Sequence, residues 1–375
     1  MTTINTTNYI AANAGSMILG PFIQSFSELS LAIYLFATTL FELIRNLGEV
    51  GVDREKLKVK TGLNLEEIDS VITIAKKSFQ NAEFSTFSYH GRIVACKKGK
   101  GIFISNALVG EGSYKKVYSG VIFDFNGSIK EKALIVTKDK EIVNEKRIVK
   151  EIHSKDVAKL GKLMGKVDDV WYYLGPLWGS DATKVVRDKN KIRALLGAAR
   201  SLASMHEKGF IHGDVKPENI LVKYAKNKFT VLQAALGDLG LTKRQAEIEA
   251  LDGGTAIYSP PECFKVDNEG DYTKADMWSF GVTLYELMCS NRPLFIEEKW
   301  PTDEIPLKAE RFLARLSRLQ QQDVDKCFRL FPAMDLSPKA HNQLKELIVN
   351  LLQIDPSKRM SAKEAVDCLT SILNS

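Results

Sequence analysis

Ile211-His212-Gly213-Asp214-Val215-Lys216-Pro217-Glu218-Asn219-Ile220-Leu221 is the stretch on which the reading of this chain turns. It sets an acid, a lysine and an amide on one loop, directly before an apolar strand. Asp214 is suited to accept a proton from an attacking hydroxyl, and Lys216 to neutralise a phosphoryl group in transit. Asn219, a neutral oxygen ligand, suits Mg²⁺. Downstream, Leu236-Gly237-Asp238-Leu239-Gly240 supplies a carboxylate for a metal bridging nucleotide phosphates. Chemistry of this kind asks little of a protein beyond positioning and charge neutralisation.

Upstream stands Leu108-Val109-Gly110-Glu111-Gly112-Ser113-Tyr114-Lys115-Lys116-Val117. Two glycines in a hairpin let backbone amides approach phosphate oxygens with no Cβ in the way. Val117, on the next strand, is placed to cover a purine ring. Lys115 replaces the third glycine of G-x-G-x-x-G, so on its own this run reads as an ordinary hairpin turn. The loop around Asp214 gives it meaning.

Three further motifs follow in order: Gly254-Thr255-Ala256-Ile257-Tyr258-Ser259-Pro260-Pro261-Glu262, Asp276-Met277-Trp278-Ser279-Phe280-Gly281, and Arg359 within Asp355-Pro356-Ser357-Lys358-Arg359-Met360. Over residues 103–375 the chain resembles the eukaryotic-type serine/threonine protein kinases. The resemblance implies an α+β, two-lobed protein kinase fold, with a small β-rich N-lobe and a larger helical C-lobe. It also implies ATP and Mg²⁺ as cofactors and a protein substrate with a Ser or Thr acceptor. Asp214 and Lys216 would be catalytic, and Asn219 and Asp238 would hold metal. Asp276 would clamp the backbone of the catalytic loop, and Arg359 would pair with Glu262. Lys216-Pro217-Glu218 and Thr255 resemble the serine/threonine subclass, in which lysine and threonine together hold the loop acid.

In the upper lobe, Ile135-Val136-Thr137-Lys138 matches the strand that carries the family's nucleotide lysine. Lys138 is therefore expected to hold the α- and β-phosphates. Asn144-Glu145-Lys146-Arg147-Ile148 resembles the helix bearing its partner, which makes Glu145 the expected carboxylate and Glu151 the fallback. The nucleotide-binding set is then Val109, Gly110, Glu111, Gly112, Ser113, Lys115, Val117, Val136 and Lys138. The glycine-rich loop is also similar to that of the with-no-lysine kinases, where a lysine at the Lys115 position replaces the strand lysine. Both lysines stay open, with Lys138 preferred.

Two departures from the family pattern bear on control. Gly213 stands where many kinases have the arginine that binds an activation-loop phosphate, and residues 244–254 contain no Ser, Thr or Tyr. Activity without activation-loop phosphorylation is expected. Small-molecule kinases of the aminoglycoside and choline type share His-Gly-Asp but lack the three later motifs. A pseudokinase acting as a scaffold usually loses the acid, the metal aspartate or the lysine, whereas Asp214, Asn219 and Asp238 are all present.

Composition sets the outer bounds. The chain has 375 residues, 45% hydrophobic and 26% charged, which supports a large core and excludes global disorder. Its net charge of +6 is thinly spread, enough for a phosphorylated ligand and too little to argue for nucleic acid. Five scattered cysteines with no CxxC fit a reducing compartment, so a cytoplasmic location is expected. Leu29 to Phe41 is shorter than the ~20 residues of a membrane span. No transmembrane segment is expected there; a buried helix is preferred over peripheral membrane contact by residues 29–44. The expected organisation is an uncharged flexible leader (1–27), a helical module (28–85) and a kinase domain (86–375), with the lobes dividing near 178/179. The leader resembles those of bacterial type III secreted proteins, which with the kinase motifs suggests delivery into a host cell. Apolar spacing at Leu29, Ile33, Phe36, Leu40 and Leu43, and at Ile68, Val71, Ile72 and Ile74, predicts helices, the second starting at Asn64 with Glu67. The lysine-rich stretch between them reads as solvated surface. Strands are expected over Gly91–Cys96, Gly101–Val109, Lys116–Phe125 and Ala133–Thr137, and helices at Ile192–Met205, Met277–Leu287, Leu307–Leu319, Leu344–Leu352 and Ala362–Leu373.

Overall fold

A computed structural model describes residues 51–111, 115–138, 142–227, 229–248, 254–264, 271–290, 318–327 and 334–375. The leader, the helix expected around Leu29–Leu43, Gly112, Ser113 and most of the 307–319 stripe lie outside these residues. By its internal packing the chain divides into two units, one running to Ala107 and including Gly120–Glu131, the other made of Leu108–Ser119 and Lys132–Ser375.

The first unit begins with α1 (Arg54–Thr61) and α2 (Leu65–Asn81). Asp53 caps α1, its carboxylate accepting the Lys56 N–H at 2.9 Å, and Gly62 closes the helix with a left-handed backbone. The stretch expected to be mere solvated surface is thus a helix. Its lysines face outward while Leu57 and Thr61, four residues apart, turn inward. α2 starts on a full capping box: Asn64 Oδ1 accepts the Glu67 N–H, and Glu67 returns a bond to the Asn64 N–H. Its buried face is Ile68, Val71, Ile72 and Ala75; Ile74, expected in that stripe, points to solvent.

These helices lie on strands of the same unit. Strand β1 (Phe84–Tyr89) pairs with β2 (Arg92–Lys97) through a two-residue turn, His90-Gly91, in which both residues have positive φ (47° and 75°). The sequence pattern did not announce β1, whose residues are nearly all half-buried and so do not alternate in polarity. β3 (Gly101–Glu111), β4 (Lys115–Phe123) and β5 (Ile129–Thr137) follow. Val94, Cys96, Ile102, Ile104, Val121 and Phe123 meet Leu57 and the apolar face of α2 in one core.

The second unit contains α3 (Ile142–Ile152), β6 (Lys162–Val167) and β7 (Val170–Gly175). Hydrogen bonding orders the strands β1-β2-β3-β4-β5-β7-β6. Below come β8 (Ser180–Asp181), α4 (Asp188–Glu207), β9 (Phe210–Ile211), β10 (Ile220–Tyr224), β11 (Val231–Leu236) and β12 (Lys243–Arg244). Among the described residues, α5 (Thr273–Tyr285), α6 (Gln321–Cys327), α7 (Pro338–Leu351) and α8 (Ala362–Asn374) follow. The expected stripe Ile192, Leu195, Leu196, Ala199, Leu202, Met205 is the buried face of α4, which packs on β11 and α8. Strands followed by helices make this an α+β chain, the class expected above. No helix among the described residues is long and apolar enough to cross a membrane.

A buried guanidinium ties distant segments of the second unit together. Arg359, 1% exposed, donates to both carboxylate oxygens of Glu262 (2.6 and 3.1 Å) and to the carbonyls of Lys274 and Gln353. It also lies 5.1 Å from the ring centre of Trp278. All three guanidinium nitrogens are engaged, which is what lets a charge persist in a core.

The packing of α1 gives a direct test. Leu57 is fully buried and Val59 is 83% exposed. In chemical denaturation, Leu57→Ala should cost about 3 kcal/mol of unfolding free energy, and Val59→Ala less than about 0.5 kcal/mol.

Candidate active site

The hairpin β10–β11 brings the catalytic loop and the Gly237-Asp238 segment together. Ile220 pairs with Leu236, so Asn219 immediately precedes the ladder and Gly237-Asp238 immediately follows it. The Gly237 N–H donates to the Asn219 carbonyl at 2.9 Å and locks that junction. Asp238 has a left-handed backbone (φ 58°), uncommon for a residue with a side chain.

Asp276, at the start of α5, holds the catalytic loop from below. Its carboxylate accepts the backbone N–H groups of His212 (2.8 Å) and Gly213 (3.0 Å) and also meets His206 Nε2 at 2.8 Å. Gly213 takes φ 80°, where a side chain is strained and a Cβ would meet the Leu241 carbonyl at 3.0 Å. His212 is fully buried, its Nε2 3.1 Å from the Gly237 carbonyl and its Nδ1 accepting the Asp214 N–H. It supports the loop from beneath. His206 carries no sequence signal beyond its place at the end of the α4 stripe.

Around Asp214 the bonds converge. Lys216 Nζ donates to Oδ2 at 2.6 Å and to the Thr255 hydroxyl at 2.8 Å, and Thr255 donates in turn to Asp214 Oδ1 at 2.7 Å. Asn219 Nδ2 donates to the carbonyl and to Oδ2 of Asp214 (2.7 and 3.0 Å). Burial alone would raise the Asp214 pKa, but the bonds from Lys216, Thr255 and Asn219 outweigh it and hold the carboxyl below its ordinary range. Asp214 is therefore an ionised acceptor at neutral pH. With the Asn219 nitrogen spent on Asp214, its side-chain oxygen is the atom left for a cation.

Above the loop, the expected Lys138–Glu145 pair is not formed. Lys138 lies one residue past the buried Thr137 at the end of β5 and is exposed, turned away from the face Thr137 occupies. Lys115, at the start of β4, takes its place: Nζ is 3.2 Å from Glu145 Oε1 and 3.0 Å from Asp238 Oδ1. Burial would lower the Lys115 pKa, yet the two carboxylates more than reverse it and keep the ammonium charged. Glu145 is buried on α3. The fallback, Glu151, is engaged elsewhere, accepting from Arg244 at 2.5 Å, a contact the sequence reading missed.

The remaining expected residues are placed less tellingly. Val109 and Glu111 are exposed on β3, with Glu111 paired to Lys116 at 2.7 Å, and Gly110, Val117 and Val136 are half-buried. Asp214, Asn219 and Asp238 offer hard oxygen donors at one junction, the donor type that Mg²⁺ takes beside phosphates.

Comparisons with known proteins identify the family. Residues 103–368 match the family model described as protein kinase domain. Over 248 residues the chain is 25% identical to the serine/threonine-protein kinase DCLK3 of Mus musculus, covering 63% of this chain and 28% of that protein. It is 26% identical over 296 residues to a probable receptor-like protein kinase of Arabidopsis thaliana, with 72% and 77% covered. A probable myosin light chain kinase of Dictyostelium discoideum is 28% identical over 280 residues, with 72% and 79% covered. The chain thus spans about a quarter to a third of the length of the mouse and human DCLK3 proteins and more than three quarters of the other two. With most of its length matched by the family model and the motif residues joined as described, the chain belongs to the protein kinase domain family.

Proposed function

We propose that this chain transfers the terminal phosphoryl group of ATP to serine or threonine hydroxyls of protein substrates. The observation that carries the reading is the environment of Asp214. An ionised carboxylate is held by Lys216, Thr255 and Asn219, beside a lysine that joins Glu145 to Asp238. Asp214 orients the acceptor hydroxyl and takes its proton as the new O–P bond forms and the bond to the ADP oxygen breaks. Lys216 offsets charge on the phosphoryl group and fixes Asp214 to Thr255. Asn219 and Asp238 would hold Mg²⁺, which supplies charge neutralisation at the phosphates. Lys115 takes the role assigned above to Lys138: an ammonium fixed by a buried glutamate, available to the phosphates. Thr255 with Lys216 supports serine/threonine specificity, the pairing that the subclass resemblance implies.

Activation-loop phosphorylation is not part of this mechanism. Gly213 offers no side chain to a phosphate, residues 244–254 offer no hydroxyl, and the Thr255 hydroxyl already bonds Asp214.

Transfer from radiolabelled ATP to casein, followed by phosphoamino-acid analysis, tests the assignment. Label should appear on Ser or Thr, and Asp214→Asn should slow transfer about 10³-fold. Lys115→Met should slow it about 10²-fold, while Lys138→Met stays within about twofold. The reverse order for the two lysines returns the nucleotide role to Lys138. Nucleotide binding without any transfer by the parent protein indicates a scaffold.

Enzyme made in bacteria should be active with no phosphate on residues 244–264 by mass spectrometry, and should keep its activity after phosphatase treatment. Activity lost with a phosphate from that segment contradicts the phosphorylation-free mechanism.

The depressed Asp214 pKa also fixes a sign. The base is ionised above its folded pKa, so the acid limb of the kcat profile should fall below the ordinary carboxylate range. An acid limb near neutrality indicates a different base.

A further inference from the structure

The helix α3 is held at two points along its length. Near its start Glu145 meets Lys115. Near its end Glu151 accepts from Arg244 Nη2 at 2.5 Å, with Arg147 Nε 3.8 Å from its other oxygen. On the same helix Ile148 and Ile152 are buried with Met205, Phe210 and Leu239.

Arg244 stands at a junction of three segments. Its strand, β12, pairs with β9, Arg244 opposite Phe210 and Lys243 opposite Ile211. The next residue continues the tie, Gln245 N–H donating to the Gly209 carbonyl at 2.9 Å. The guanidinium carbon lies over the Phe210 ring, 4.5 Å from its centre, while Nη2 reaches Glu151. One side chain therefore links α3, the strand leading into the catalytic loop, and the segment that follows Asp238. It leads the stretch that has no phosphorylatable residue, in a chain whose catalytic loop has glycine at 213.

We infer that Arg244 is a positioning residue. Its pair with Glu151 holds α3, and with it Glu145, in the arrangement that keeps Lys115 beside Asp238. The chain thereby supplies, from its own side chains, the clamp that a phosphate on the loop would otherwise provide. The inference rests on the kinase reading above for its effect on rate. The clamp itself is a matter of geometry and is testable apart from it.

The experiment is a double-mutant cycle on the full chain, reading ATP-to-casein transfer and, in parallel, amide hydrogen exchange over residues 142–152. Arg244→Ala and Glu151→Ala should each lower kcat about tenfold, and the double variant should be no slower than either alone. Arg244→Lys should recover part of the loss, keeping the charge but not the planar stack on Phe210. Exchange over α3 should quicken in both single variants and no further in the double. Losses that multiply in the double variant, or unchanged α3 exchange in Arg244→Ala, overturn the inference. Parent protein that transfers no phosphate defeats the kinase reading instead, and the exchange measurement then decides the clamp by itself.

Discussion

One ammonium group, that of Lys115, lies between the carboxylates of Glu145 and Asp238, and the upper part of the site depends on it. Glu145 is buried, so its negative charge persists only with a partner. Asp238 is more open, its side chain 57% exposed, but it too must be kept from repelling Glu145. A single cation meets both needs. Because that cation rises from β4 and not from β5, β4 is tied directly to α3. The inner position on β5 is left to the buried Thr137, which brings no charge. Placing the lysine on β4 thus couples that strand to the helix.

The sequence carried the lower part of the site almost entirely. Asp214, Lys216, Asn219 and Thr255 are close because short-range constraints leave the chain little choice. The loop is a few residues long, the hairpin register sets Asn219 against Gly237, and Thr255 belongs to a motif with its own signature. The upper part was legible only as alternatives. Lys115 and Lys138 both sit at strand ends, and a lysine is long enough to serve from either. Deciding between them required knowing which face of β5 is inward, and Thr137 settles that by being buried where Lys138 is exposed. Arg244–Glu151 and His206–Asp276 were not legible, since they join residues 93 and 70 positions apart with no motif to mark them.

The same contrast holds in the first unit. α2 was readable from a capping box and an apolar face, both local signals. α1 was hidden because its polar face carries the lysines and only Leu57 and Thr61 are buried. β1 was hidden because a strand half-covered on both faces has no polarity alternation to read. In both elements tertiary cover, supplied by residues distant in sequence, replaces intrinsic pattern as the source of order.

Cations around the catalytic loop are committed before any phosphate could arrive. Lys216 is divided between Asp214 and Thr255, Arg359 is spent on Glu262 and two carbonyls, and Arg244 is stacked on Phe210 and paired with Glu151. A phosphate recruiting any of these would first have to break a charge-assisted bond, and breaking the Arg359 pair would expose an uncompensated charge in the core. A switch operated by phosphorylation needs the opposite arrangement, a cation cluster left unbalanced until the phosphate completes it. Gly213 fits the same logic. Its left-handed backbone is accommodated without strain, and its N–H is taken by the Asp276 carboxylate, so position 213 is fixed without a side chain of its own. Among the described residues, Lys216, Arg244 and Arg359 each have their charge balanced by a carboxylate of the chain itself.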